Sequence, residues 1–265
     1  MSLRIQNNPE AFQAHRLLSA NSTQQSKSME KLSSGFRINR AADDAAGLGI
    51  SEKMRGQIRG LNQAQRNIQD GVSLVQTAEG NLDEVHSMLQ RVRELAVQYK
   101  NGTLSTAAQA SIQTEVNALA SEIERIGTSA EFNGKALLNA SGTITFQVGA
   151  DDGEEITVST ISLGSTVGSF TSLSTTTAIQ AIDDAISAVS GARATFGAVQ
   201  NRLEHTLSVS ASYQENLIAA ESRVRDVDMA AEMTKMTKFQ ILSQAGTSML
   251  SQANQSPQSV LSLLR

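Results

Sequence analysis

Three lone histidines and three adjacent pairs of carboxylates are the residues of this chain best equipped for chemistry. His15, His86 and His205 each stand apart. None has a second histidine four residues away, the spacing that puts two imidazoles on one helix face to hold zinc. No acidic neighbour completes a ligand set either. They read as structural or solvated residues of helices. Asp43-Asp44, Asp151-Asp152 and Asp183-Asp184 are the carboxylate pairs. Adjacent residues diverge on a helix, which is the wrong geometry for shared acid–base work. They read as a helix start, a turn tip and a solvated face. Gly56, Gly60, Gly71 and Gly80 are spread along helical sequence and do not gather in a phosphate-binding loop. A glycine inside a helix costs about 1 kcal/mol relative to alanine. The expected gain is close approach of another helix or subunit. Cysteine is absent, which removes disulfides and thiolate metal sites. The expectation is a protein with no catalytic residue, no metal and no cofactor.

Composition narrows the class further. The 265 residues carry 22 Lys+Arg against 26 Asp+Glu, a formal charge of −4. That balance lacks the basic excess of a nucleic-acid binder. Seven Phe, two Tyr and no Trp are few aromatics for this length, so many small contacts must replace one thick core. No apolar run reaches the length of a membrane span. Residues 1–8 lack the apolar centre of a secretory signal, so export would have to read another feature.

The elements that position these residues are helical. Met54, Ile58, Leu61, Gln65, Ile68, Val72 and Val75 step by alternate fours and threes, a heptad seam with one polar member. After one short step the seam restarts as Ala78, Leu82, Val85, Leu89, Val92, Ala96 and Tyr99, a stammer. A helix from Asp43 to Lys100 would be on the order of 87 Å long at 1.5 Å per residue, so it must pack lengthwise against others. Asn101-Gly102 stops it, and Ser105 caps a second helix with Ile112, Val116, Leu119, Ile123 and Ile126 on one face. Gly127 is expected to end that run. Residues 143–148 and 155–159 alternate with period two around a polar tip at 149–154, a β-hairpin. Residues 162–177, rich in Ser, Thr and Gly, read mostly as loop.

A third long seam starts near Ala178 and passes through Ile182, Val189, Phe196, Leu203, Tyr213 and Val227, continuing into Met229, Met233, Met236 and Phe239. The N-terminal segment carries a weaker apolar pattern, with Ile5, Phe12, Leu17, Leu18 and Met29. Pro9 is placed to start its helix. The fold class is mainly α: a long antiparallel helical bundle or coiled coil formed by both chain ends, with a small central β-hairpin. The terminal stripes have no large core of their own to cover them. The C-terminal one is therefore expected to order only in an assembly.

Leu95 lies just off the seam, with Arg91 four residues earlier on the same side and Gln98 three later. Two readings stand. Leu95 packs at the edge of the bundle, or it forms with Arg91 an exposed anchor for a partner.

Residues 33–51, SSGFRINRAADDAAGLGIS, resemble the N-terminal signature of bacterial flagellins, as do Ile68-Gln69-Asp70-Gly71 and Gln76-Thr77-Ala78-Glu79-Gly80. Residues 249–261, MLSQANQSPQSVL, resemble the family's C-terminus. The likeness covers roughly 4–140 and 178–265. It implies an extracellular subunit that polymerises with itself into a helical flagellar filament for swimming. It also implies type III export, an export chaperone and cap or junction proteins as partners. On that likeness 1–42 and 226–265 form the inner-tube coiled coil with its link. Residues 43–140 and 178–225 form the outer-tube bundle, and 141–177 an outward insertion. Polymerisation contacts fall at Ile5, Phe12, Leu18, Asn39, Arg40, Asp43, Asp44, Met249, Leu250, Val260, Leu261 and Leu264. Residues 90–98, QRVRELAVQ, are similar to the stretch by which Toll-like receptor 5 recognises some flagellins. That implies receptor contacts at Arg91, Glu94, Leu95, Gln98 and Glu115. The rival readings are a hook–filament junction protein and a secreted coiled-coil effector or adhesin.

Overall fold

The structure is a computed structural model that describes residues 8–164, 173 and 178–263, with side chains to residue 255. Five helices and two antiparallel hairpins make up these residues: α1 Pro9–Ser34, α2 Ala45–Tyr99, α3 Thr106–Ser129, β1 Glu131–Phe132, β2 Lys135–Ala136, β3 Gly142–Gln147, β4 Glu155–Thr160, α4 Ala178–Arg225 and α5 Met229–Leu263. The chain divides into two compact units. The first holds Met1–Gly56 with Leu217–Arg265, and the second holds Gln57–Asn216.

The second unit has the hydrophobic core. Ile68, Val75, Ala78, Leu82, Val85, Leu89, Val92 and Ala96 of the α2 seam are all buried, as are Ile112, Val116 and Ile123 of α3 and Ile182, Val189, Phe196 and Leu203 of α4. The polar seam member Gln65 is satisfied across the bundle: its Nε2 donates to Gln214 Oε1 at 2.7 Å. Ser105 caps α3 by accepting from the Ala108 amide at 3.2 Å. Gly127 does not end α3, which runs on to Ser129. Gly127 is buried, and a Cβ there would lie 3.2 Å from Leu163. It is glycine for clearance.

The β3–β4 hairpin pairs Gly142 with Thr160 through to Gln147 with Glu155. Ile156, Val158 and Thr160 are buried, and the residues between them are exposed. Two helical glycines allow this hairpin close to the bundle. A Cβ on Gly60 would stand 2.9 Å from that of Ala150, and one on Gly71 would meet Phe146 and Leu203 at 3.3 Å. Gly56 and Gly80 face open space. The shorter β1–β2 hairpin was not foreseen from the sequence. It turns on Asn133 and Gly134, both with positive φ (49° and 74°), the primed turn for which Asn-Gly is preferred. The loop expected over 162–177 falls mostly outside the described residues, though Leu163 and Leu173 are both buried.

The first unit contains the antiparallel pair of α1 and α5. Asn8 caps α1, accepting from the Ala11 amide at 3.1 Å, with Pro9 in the first turn. Asn8 Nδ2 also donates to the Ala253 carbonyl at 2.7 Å. Further along, Leu18 lies against Gly246, and Ser28 Oγ donates to Glu232 Oε1 at 2.7 Å. Partners rise along one helix as they fall along the other, as antiparallel pairing requires. Expected to lack a partner in the single chain, the C-terminal stripe instead forms a helix because α1 supplies one.

Candidate functional site

Two surfaces carry the residues singled out from sequence. The first is the α1–α5 pair with the joint at its base. At that joint α1 stops on Gly35, which takes a left-handed φ of 76° and donates to the Lys31 carbonyl. Phe36 and Asp226 form an isolated antiparallel bridge, flanked by Arg37 N–H to Arg225 O at 2.6 Å and Val227 N–H to Gly35 O at 3.0 Å. The expected continuous seam from α4 into the methionines is broken here. Asp228 caps α5 by accepting from the Ala231 amide at 3.0 Å. Arg225 ties the joint together. Its guanidinium lies 4.6 Å from the Phe36 ring centroid and donates to Glu52 at 2.8 Å.

The loop that follows holds the polar residues expected at polymerisation contacts, and their partners here lie within the chain. Asp43 Oδ2 accepts from the amides of Asn39 (3.2 Å) and Arg40 (3.0 Å). Both of those side chains donate to Glu30 Oε1, at 2.8 and 2.9 Å. Asp44 caps α2 through the Gly47 amide at 2.8 Å. Asn39, Arg40 and Asp43 are exposed and Asp44 is half-buried. They are therefore brought together as one folded loop.

Along the helices Phe12 and Met249 are exposed, while Leu18 and Leu250 are half-buried. Leu17, Leu18, Leu242, Gly246 and Met249 line an open groove of about 590 Å³. Ile5 and Leu264, and the side chains of Val260 and Leu261, lie outside the described residues.

Asp43, Glu52 and Glu232 of this unit are tuned in one direction. The Arg40 and Asn39 amides hold Asp43 below its ordinary range. The Arg225 hydrogen bond does the same for Glu52. Burial pushes Glu232 up, but the Ser28 hydroxyl and Lys235 outweigh it, and its net shift is downward. Depressed native values mean that these contacts stabilise above the unfolded pKa of about 4 and are lost as pH falls through the native values. Acidification below about pH 4 is therefore expected to loosen the joint, which its backbone hydrogen bonds still hold. Limited proteolysis at residues 35–44 should accelerate there, with a smaller pH response in Glu52→Gln. A pH-independent cleavage rate at the joint would contradict this.

The second surface lies on α2 and α3. Arg91 donates to Glu115 at 3.0 Å and to Glu94 at 3.1 Å. Arg91, Glu94, Gln98 and Glu115 are all exposed. Leu95 is not among them. It is 2% exposed and part of the core, so the reading of Leu95 as an exposed anchor is corrected in favour of the packed one. Val97 is exposed too, but it lies on the side of α2 that faces α4, in a groove with Arg93, Asp183 and Ile186.

A family model for the bacterial flagellin N-terminal helical region matches residues 5–143, and one for the bacterial flagellin C-terminal helical region matches 179–264. The chain belongs to the bacterial flagellin family. A flagellin of Halalkalibacterium halodurans is 53% identical over 270 residues, covering 98% of this chain and 99% of its own. The flagellar filament 33 kDa core protein of Treponema phagedenis is 47% identical over 284 residues, covering 98% and 99%. The crystal structure of Bacillus cereus flagellin aligns with a TM-score of 0.51 at 33% identity, over 59% of this chain and 94% of that one. Flagellins are structural proteins, not enzymes. In this flagellin the first family region takes in α1 and the second takes in α5, the pair where large apolar groups are left uncovered.

Proposed function

We propose that this chain is the extracellular subunit that polymerises into the flagellar filament and transmits rotation for swimming. One observation carries the reading furthest: the paired terminal helices leave large apolar side chains in water, with Phe12 74% exposed. Exposed apolar area of this kind marks an interaction surface. Burial at about 25 cal/mol per Å² makes assembly favourable. A contact between different faces of successive copies does not close, and it grows a helical filament. We assign 1–42 and 226–265 to the inner tube, 43–140 and 178–225 to the outer, and 141–177 to the outward insertion. Export chaperone, cap and junction proteins are the further partners, and no enzymatic step is required. Purified monomer seeded with sheared filament fragments should grow into long filaments of uniform width under negative stain. Monomer that never elongates seeds would move the assignment to a junction protein or a secreted effector.

The exposed Arg91–Glu115 and Arg91–Glu94 pairs favour a second role in the monomer, recognition by Toll-like receptor 5. Arg91, Glu94, Gln98 and Glu115 would make the contacts, and Leu95 would support them from the core. Replacing Arg91 and Glu115 together by alanine is expected to reduce a receptor reporter signal at least tenfold, the equivalent of about 1.4 kcal/mol, with helix content unchanged. Full signalling by the double variant would sink this role.

A further inference from the structure

The chain has no cysteine and no tryptophan. Mild two-electron oxidants therefore find their most reactive side chains in the methionine thioethers. Those thioethers are unevenly placed. Met249 is 65% exposed, Met29 54%, Met229 50% and Met233 48%, and all four belong to α1 or α5. Met54, Met88 and Met236 are only partly exposed, and Met88 packs against the core of the second unit.

Their positions put sulfur where assembly needs apolar contact. Met229 and Met233 are four residues apart and share one face of α5. Met29 and Met233 directly follow Ser28 and Glu232, whose 2.7 Å hydrogen bond lies within the helix pair. Met249 lines the groove with Leu17 and Leu242.

We infer that Met29, Met229, Met233 and Met249 form a peroxide-sensitive modification site that governs whether the monomer can assemble. The step is an oxygen transfer. The thioether sulfur attacks one peroxide oxygen, an S–O bond forms as the O–O bond breaks, and the peroxide is reduced to water. Sulfur is oxidised to the sulfoxide. The product is polar and accepts hydrogen bonds, so burying it between subunits without a donor is unfavourable. In the filament the same thioethers are covered and protected. This inference rests on the filament reading above.

The test uses the full chain and dilute hydrogen peroxide. Peptide mass spectrometry should find sulfoxide at these four positions in monomer well before Met54 and Met88, and more slowly in preformed filaments. Oxidised monomer should need about a tenfold higher concentration to elongate seeds, the equivalent of about 1.4 kcal/mol. Treatment with methionine sulfoxide reductases of both epimer specificities should restore growth. A variant with all four replaced by leucine should keep growing after peroxide. Undiminished growth of fully oxidised monomer overturns the inference, as does equal oxidation of monomer and filament. Should the leucine variant fail to assemble, the reductase arm on the natural chain still decides. Failure of the filament reading looks different, because untreated monomer then does not elongate seeds at all.

Discussion

Deletion of residues 246–265 is expected to abolish elongation of filament seeds while leaving the second unit folded. The deletion takes away Gly246, against which Leu18 packs, and the Ala253 carbonyl that receives the Asn8 side chain. It also removes Met249 from the groove. The N-terminal half of α1 then has no partner, and an unpaired helix of that length is marginal in water. Nothing in the core around Leu82, Leu89, Ile123 and Phe196 depends on those residues. Circular dichroism should therefore show a retained cooperative melt with reduced helix content. Negative-stain counts of elongated seeds should fall to background. Long filaments from the truncated chain would contradict the role given to the helix pair.

The same division explains how much was legible in the sequence. Heptad positions such as Leu82 and Val92 predicted burial correctly because burial in a bundle follows helix period. Ser105 was readable as a cap because capping is local, whereas at α1 the sequence pointed to Pro9 and the cap is Asn8, one residue before it. Leu95 was harder. A two-helix seam leaves it on the flank, but α2 shares its core with α3 and α4, and the buried stripe widens. Leu74 with Val75, and Leu95 with Ala96, are consecutive buried residues for that reason. The Asn133-Gly134 turn carried a recognisable signal that sequence reading passed over. The joint had almost none. Arg225 acquires its role only when folding brings Phe36 and Glu52 to it, across 189 and 173 positions of sequence. Asp228 alone, as a cap residue before an apolar stripe, hinted at the break between α4 and α5.

A disulfide between Leu18→Cys and Gly246→Cys is expected to form readily and to lock the helix pair. A Cβ built on Gly246 lies 3.9 Å from that of Leu18, inside the range disulfides adopt. The leucine Cδ1 that would crowd position 246 at 3.3 Å disappears with the substitution. With no native cysteine, the two thiols have only each other within the chain. Closing so long a loop removes unfolded-state entropy equivalent to about 5 kcal/mol in the chain-entropy model. Non-reducing electrophoresis should show an intrachain species. The melt of the oxidised chain should shift upward and return on reduction. Leu17→Cys with Gly246→Cys is the control, since Leu17 points one helical step away and should cross-link more slowly. Equal rates for the two pairs would mean that the helices have no fixed register. The stapled monomer also reads the state of the pair in the filament. Seeds that elongate equally well with oxidised and reduced subunits indicate that α1 and α5 of one copy stay together on assembly. Elongation that stops on oxidation and resumes on reduction indicates that the pair must open, with α1 taking a new partner at the growing end.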